Sequence, residues 1–208
     1  MKQTNVYLDS FNLYYGCIRG TPYRWLDLAK LCRALLPSHS IGRIRYFTAI
    51  VQARPGDPQQ PERQQTYLRA LETIPNLSIH YGHFLSHVTR LPLAHPPAHG
   101  PQTVEVVKTE EKGSDVNLAT CLLVDGFNSD YEAAVVISND TDLLEPIKFV
   151  RQQLGCSVGI LNPQRKQSRA LAQVVTFYKR IRTGVLRAGQ LPPTLTDTHG
   201  TITKPAAW

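Results

Sequence analysis

The 208-residue sequence predicts an α/β domain whose mainly parallel sheet of about five strands carries helices on both faces. Two observations lead there. Short β-branched runs alternate with longer stretches of helical periodicity, the pattern of strand–helix–strand crossovers. Hydrophobic residues make up 42% of the chain, enough for a sizeable core and too many for a disordered polymer.

The elements follow in order. Asn5–Asp9 reads as a short buried strand that stops on a carboxylate. Trp25–Leu36 has helical spacing and ends before Pro37. Ile41–Val51 is rich in β-branched and aromatic residues and predicts a second strand, and Gln59–Ile74 a helix with Tyr67, Leu68, Leu71 and Ile74 facing inward. Leu77–Leu85 is the third strand. Residues 86–103, with Pro92, Pro96, Pro97, Gly100 and Pro101, predict a loop or hairpin insertion from which Val104–Lys108 returns as a strand. Ser114 is placed to cap a helix from Asp115 to about Val124, and Ala133–Ser138 is the clearest buried strand in the chain. Leu143–Leu154 predicts a helix, Ser157–Leu161 a fifth strand, and Ser168–Arg182 a last helix. The domain is expected to span 1–182, and the Pro- and Gly-rich tail 183–208 to run extended as a strap, with Trp208 buried or at an interface.

Charge and cysteine usage limit the class of protein. The net charge is +7, but nine bases and no acid fall between Pro146 and Thr196, leaving fourteen bases against sixteen acids elsewhere. Bases beside clustered acids suit an enzyme that holds a polyanion against a metal; solvated helix faces are the plainer account of the same run. Cys17, Cys32, Cys121 and Cys156 are widely spaced with no CxxC pair, which predicts reduced thiols. No stretch approaches the roughly 20 apolar residues of a membrane helix. The first residues reach Asp9 before a signal-peptide core forms, so a cytoplasmic location is expected.

In parallel sheets ligands bind beyond the carboxyl ends of the strands, so the residue ending each strand is where chemistry is expected. Asp9 ends the first strand, Asp140 and Asp142 follow the strand that ends at Ser138, and Asp115 opens a helix. Each alone is ordinary, since Asp commonly caps helices and forms turns. Together at one edge they would repel one another unless a cation neutralised them. A hard divalent ion such as Mg²⁺ takes one or two carboxylates with waters and phosphate oxygens, and can activate a water for attack on a phosphodiester. Val124–Asn128 nearly copies Leu8–Asn12, but a helical pattern precedes Asp125, which is therefore read as a helix-end or loop residue.

Three ordered blocks, Tyr7–Tyr14, Lys108–Val116 and Ile137–Leu143, resemble the signature blocks of NYN-domain proteins of the PIN-like nuclease group, over roughly residues 4–182. The resemblance implies a Rossmann-like three-layer α/β/α sandwich and a ribonuclease dependent on Mg²⁺ or Mn²⁺. Asp9, Asp115, Asp140 and Asp142 would be the catalytic, metal-binding acids, with Asn12 beside them orienting Asp9 or a phosphate. The common form of the third block has Gly where this chain has Asn139, a departure that leaves both acids in place.

On the substrate side, Ser138 and Asn139 flank the acids, Lys112 lies three residues before Asp115, and Arg165, Lys166 and Arg169 follow the fifth strand at the same edge, placed for RNA backbone contact. Tyr14 and Tyr15 are placed to stack on bases or to pack under the first loop. His83/His87 and His95/His99 have i,i+4 spacing, but the prolines argue against a helix and no Cys completes a zinc set; a surface flap beside the groove is expected instead. The expected partner is RNA, with DNA and homo-oligomerisation left open and no membrane. A non-catalytic RNA-binding or scaffold module on the same fold is the alternative. A haloacid-dehalogenase-like phosphatase would need a second Asp where Phe11 stands, and no GxxxxGK[ST] or GxGxxG run supports a nucleotide switch.

Overall fold

The computed structural model describes residues 1–208. Six strands form one parallel sheet: β1 (Lys2–Asp9), β2 (His39–Thr48), β3 (Leu77–Tyr81), then, past an inserted hairpin of β4 (His83–Pro92) and β5 (Thr103–Lys112), β6 (Ala133–Ile137), β7 (Ser157–Asn162) and β8 (Phe177–Arg180). The spatial order is β3-β2-β1-β6-β7-β8, with every neighbouring pair parallel. The chain builds outward from β1 in one direction and then restarts beside it in the other. The reversal point, where a crevice opens at the strand ends, lies between β1 and β6.

Two cores sit on the two faces. Along β1 the side chains alternate, Val6 and Leu8 to one core and Tyr7 to the other, as period-two geometry requires. The first core takes in α2 (Leu28–Leu35) and α3 (Gln60–Glu72), through Leu28, Leu31, Tyr67 and Leu71. The second takes in α4 (Ser114–Phe127), α5 (Leu144–Gln152) and α6 (Arg169–Val174), through Leu118, Leu122, Ile147, Val150 and Leu171. Strands buried on both faces read as continuous apolar runs, which is why Ala133–Ile137 stands out in the sequence.

The sheet has six strands where about five were expected. The stretch expected as one helix, Ser168–Arg182, breaks after Val174. The β-branched run Val174-Val175-Thr176 disfavours a further helical turn, and Phe177–Arg180 pairs with β7 as β8, where Gly159 leaves room for the Phe177 ring. Leu77–Leu85 is not one strand either. It breaks at Gly82, and the remainder starts the hairpin, whose ten-residue arms pair with each other and stand apart from the main sheet. The tail is not extended. It forms α7 (Thr183–Ala188) and a small hairpin, β9 (Thr194–Asp197) with β10 (Gly200–Thr203). Leu186, Leu191 and Ile202 enter the first core, and Trp208, half-buried rather than buried, packs edge-on against Trp25 and Tyr67.

Candidate active site

Sheet register brings the first acids together. Leu8 lies opposite Ile137, so the next residues outward, Asp9 and Ser138, meet at the strand ends. The Ser138 hydroxyl donates to Asp9 Oδ2 at 3.0 Å and accepts from the Asp140 amide at 3.1 Å, linking the two acids. Asp9 also caps α1 (Ser10–Leu13), accepting from the Asn12 amide at 2.9 Å. Asp140 likewise caps the 3₁₀ turn Thr141–Leu143, accepting from the Asp142 amide at 3.0 Å.

The third acid arrives on α4. Gly113 adopts φ +96° at the helix start, a conformation L side chains avoid, and the Glu111 carboxylate accepts from the Ser114 amide (3.0 Å) and hydroxyl (2.6 Å). Ser114 is therefore the first helical residue rather than the cap, a one-residue correction. Gly82 packs so closely beneath that a Cβ there would collide with Glu111 Oε1. Asp115 follows in the first turn of α4.

Asp9, Asp115 and Asp140 line one open cleft with Glu111, Arg54, Phe11 and Phe84. Asp9 is buried, and desolvation with the charges of Asp115 and Asp140 pushes its carboxyl up to about 6 against two hydrogen bonds that oppose the shift. Burial raises Asp115 as well, and Asp140, Glu111 and Asp142 add to it. The donor set is hard oxygen facing water, chemistry that fits Mg²⁺ or Mn²⁺, which keep several waters. As the side chains stand, no group of three or more His, Cys, Asp or Glu is placed to hold a metal ion.

The remaining expected residues divide. Asp142 is exposed and does not line the cleft; it reaches the site through its charge on Asp115. Ser138 is fully buried, so it positions acids and cannot touch substrate. Asn12 lines the cleft; its backbone amide holds Asp9 Oδ1, while its side-chain Oδ1 accepts from the Asn139 amide (3.1 Å) and Gln164 Nε2 (3.3 Å) and fastens the neighbouring loops. Asn139 is not in the left-handed region; its side chain binds the Lys166 carbonyl, the Ser168 amide and the Tyr178 hydroxyl. Arg165, Lys166 and Arg169 are exposed on and after the loop following β7, outside the cleft lining. Lys112 is drawn to Glu110 at 3.5 Å. The base that does line the cleft, Arg54, sits in a Pro/Gly-containing loop with no periodicity to mark it. Glu111 is equally unmarked, although it stands inside the second block.

The hairpin forms a wall of the cleft through Phe84, which meets Phe11 edge-to-face at 5.7 Å. His83 and His87 lie on β4 and His95 and His99 in its loop, so the i,i+4 pairs never share a helix face. Asp125, the near-copy of Asp9, lies within α4 and is held by Arg45 (both contacts 2.7 Å) and by the Tyr7 hydroxyl (2.7 Å). It is a structural ion pair away from the cleft. Adjoining the acids is a separate aromatic-lined cavity, bordered by Tyr14, Tyr15, Tyr46, Tyr67 and Trp208. All four cysteines are unpaired, and no helix is long and apolar enough to cross a membrane.

A six-stranded parallel sheet with helices on both faces and acids at its reversal point is a PIN-like three-layer sandwich. The NYN-domain family model matches residues 3–181, and the chain belongs to that family, within the PIN-like nuclease group. A relative from Pseudomonas putida (strain DSM 28022 / S16), named 6-hydroxy-3-succinoylpyridine 3-monooxygenase HspA, is 34% identical over 236 residues, covering 99% of this chain and 75% of that one. A crystal structure of a protein of unknown function from Vibrio parahaemolyticus RIMD 2210633 aligns with a TM-score of 0.56 at 14% identity, covering 88% of this chain and 94% of that one, a likeness of fold alone.

Proposed function

We propose that the protein is a divalent-metal-dependent endoribonuclease of the cytoplasm that hydrolyses RNA phosphodiester bonds, with Asp9, Asp115 and Asp140 holding Mg²⁺ or Mn²⁺. The observation that carries this reading is the convergence of three carboxylates, from three separate segments, on one open cleft where burial and mutual repulsion raise two of them. A bound ion would polarise a phosphoryl oxygen and lower the pKa of a water. The chain's own residues do the rest. Ser138 fixes the Asp9 carboxylate, Glu111 fixes the helix start that carries Asp115, and Asp142 adds negative charge behind it. Arg54 faces the same cleft, suited to a phosphate oxygen, while Arg165, Lys166 and Arg169 hold the strand beyond the β7 end.

With purified protein, Mn²⁺ and a labelled RNA, Asp9→Asn and Asp140→Asn are each expected to lower cleavage by at least about 100-fold, the scale of losing charge stabilisation at a reacting centre. EDTA should stop cleavage and spare RNA binding. Undiminished turnover in both variants would overturn the assignment. Binding without any cleavage would favour the non-catalytic RNA-binding module.

The name of the Pseudomonas putida relative supports a second reading, oxygenation of a small aromatic compound, and the aromatic-lined cavity beside the acids favours it. Oxygen uptake on adding 6-hydroxy-3-succinoylpyridine and a reductant, with no cleavage of RNA, would replace the hydrolase with that reaction.

A further inference from the structure

The cavity beside the acids has a composition the cleft lacks. Its volume is about 120 Å³, and rings of Tyr14, Tyr15, Tyr46, Tyr67 and Trp208 dominate its wall. Tyr14–Ile18 forms a single π-helical turn there, a rare feature that recurs at functional sites. Arg24 also borders it. That guanidinium is half-buried yet makes no ion pair and no hydrogen bond, and its Nε is buried without a partner. The other arginine lining the cavity is engaged: Arg63 is paired with Asp57. A half-buried cation left unpaired at an aromatic cavity lacks an acceptor that a ligand can supply.

Size restricts the ligand. An engineered apolar cavity of about 150 Å³ admits benzene, so about 120 Å³ suits one six-membered ring and not a fused bicycle without wall movement. Position restricts it further. Phe11, Tyr15, Val51 and Gln60 border both the cavity and the acidic cleft, so a ring in one lies within a nucleotide's reach of a phosphate in the other.

We propose that this cavity is a monocyclic-ring site, with Arg24 donating to a carbonyl or carboxylate on the ring. It takes a pyrimidine base next to the phosphate that is cut. The pyrimidine source rests on the ribonuclease reading; the ring site itself does not. Stacking on aromatic walls supplies affinity, and the cavity's size, with the Arg24 donor, supplies the preference for one ring over two.

Titration calorimetry in EDTA, where cleavage is silent, tests the site with uridine, adenosine and benzoate as probes. Uridine is expected to bind about tenfold or more tighter than adenosine, Arg24→Met to weaken it about tenfold, and Val51→Trp to block it, with thermal melts confirming that both variants fold. Benzoate binding with the same dependence on Arg24 and Val51, but no uridine binding, supports the ring site with a free aromatic acid as its occupant and removes the pyrimidine. No binding by either monocycle, equal affinity for adenosine, or binding indifferent to both substitutions overturns the site. Failure of RNA cleavage leaves these binding results intact, so the two readings fail separately.

Discussion

At the residue scale, Asp9 is the most informative side chain. Its folded value, about 6, lies above the ordinary 3.8, so between those pH values the folded protein holds a proton that the unfolded chain has released. The stability contributed by the neutral carboxyl is present at low pH and lost as pH rises through about 6. At pH 8 without divalent ions the ionised group therefore costs on the order of 2–3 kcal/mol, and Asp9→Asn should recover part of it, raising the melting temperature while abolishing cleavage. Asparagine keeps an acceptor for the Asn12 amide that caps α1. A melting temperature at pH 8 below that of wild type would contradict burial as the cause of the shift. Added Mn²⁺ should stabilise wild type and not the variant. If the protein acts as the proposed ribonuclease, cleavage should fall as pH drops through about 6, because a proton would then compete with a bound ion for the same oxygen. The sequence marks Asp9 clearly because it ends an apolar run. It does not mark Ser138 as buried, since only the pairing of β1 with β6 puts that hydroxyl between two carboxylates.

Element placement explains how acids far apart in sequence share one cleft. Arg45 on β2, Tyr7 on β1 and Asp125 on α4 form a buried set that seats α4 on the sheet and so fixes where Asp115 stands. Arg45→Met removes one partner and strands a buried carboxylate, so a loss of about 3–5 kcal/mol is expected by urea denaturation. Gly82 acts on the same helix from below. A methyl there meets the Glu111 carboxylate, so Gly82→Ala is expected to cost about 1–3 kcal/mol and to lower cleavage further than stability alone explains, through a displaced α4 start. Comparing its rate with that of Gly56→Ala, where a Cβ would meet nothing, separates the local effect from a general one. The hairpin is half legible. Its prolines and glycine announce an insertion, but alternating side chains in arms mostly open to water do not tell where pairing stops, and Phe84 as a cleft wall has no sequence signal.

The whole molecule depends on its last 26 residues more than the family match through residue 181 implies. Leu186, Leu191 and Ile202 are buried in the first core, and Trp25 Nε1 donates to the Pro192 carbonyl at 2.7 Å. Burial of roughly 1.5–3 kcal/mol for each such side chain is a large share of a typical 5–15 kcal/mol stability. A chain ending at Arg182 is therefore expected to lose most of its cooperative thermal transition by circular dichroism, whereas full-length Trp208→Ala keeps it at a lower melting temperature. An unchanged transition in the truncated chain would show that the tail contributes little to the fold, as a surface strap would. The charge division also looks different in three dimensions. None of the nine bases between Pro146 and Thr196 lines the acidic cleft; they are distributed over α5, the loop after β7, α6, β8 and α7 with the turn before it.

The sequence by itself determined the alternation of strands and helices, the two-faced sheet and the carboxylates that end its strands, because apolar periodicity and strand-end acids are local and carry into the fold unchanged. Only the tertiary structure decided which of those acids share a cleft, that Ser138 and Glu111 fix them, and that Arg24 stands unpaired at a ring-sized cavity. Those facts depend on strand register, helix seating and the return of the tail, which bring together residues whose spacing along the chain records nothing of their spacing in space.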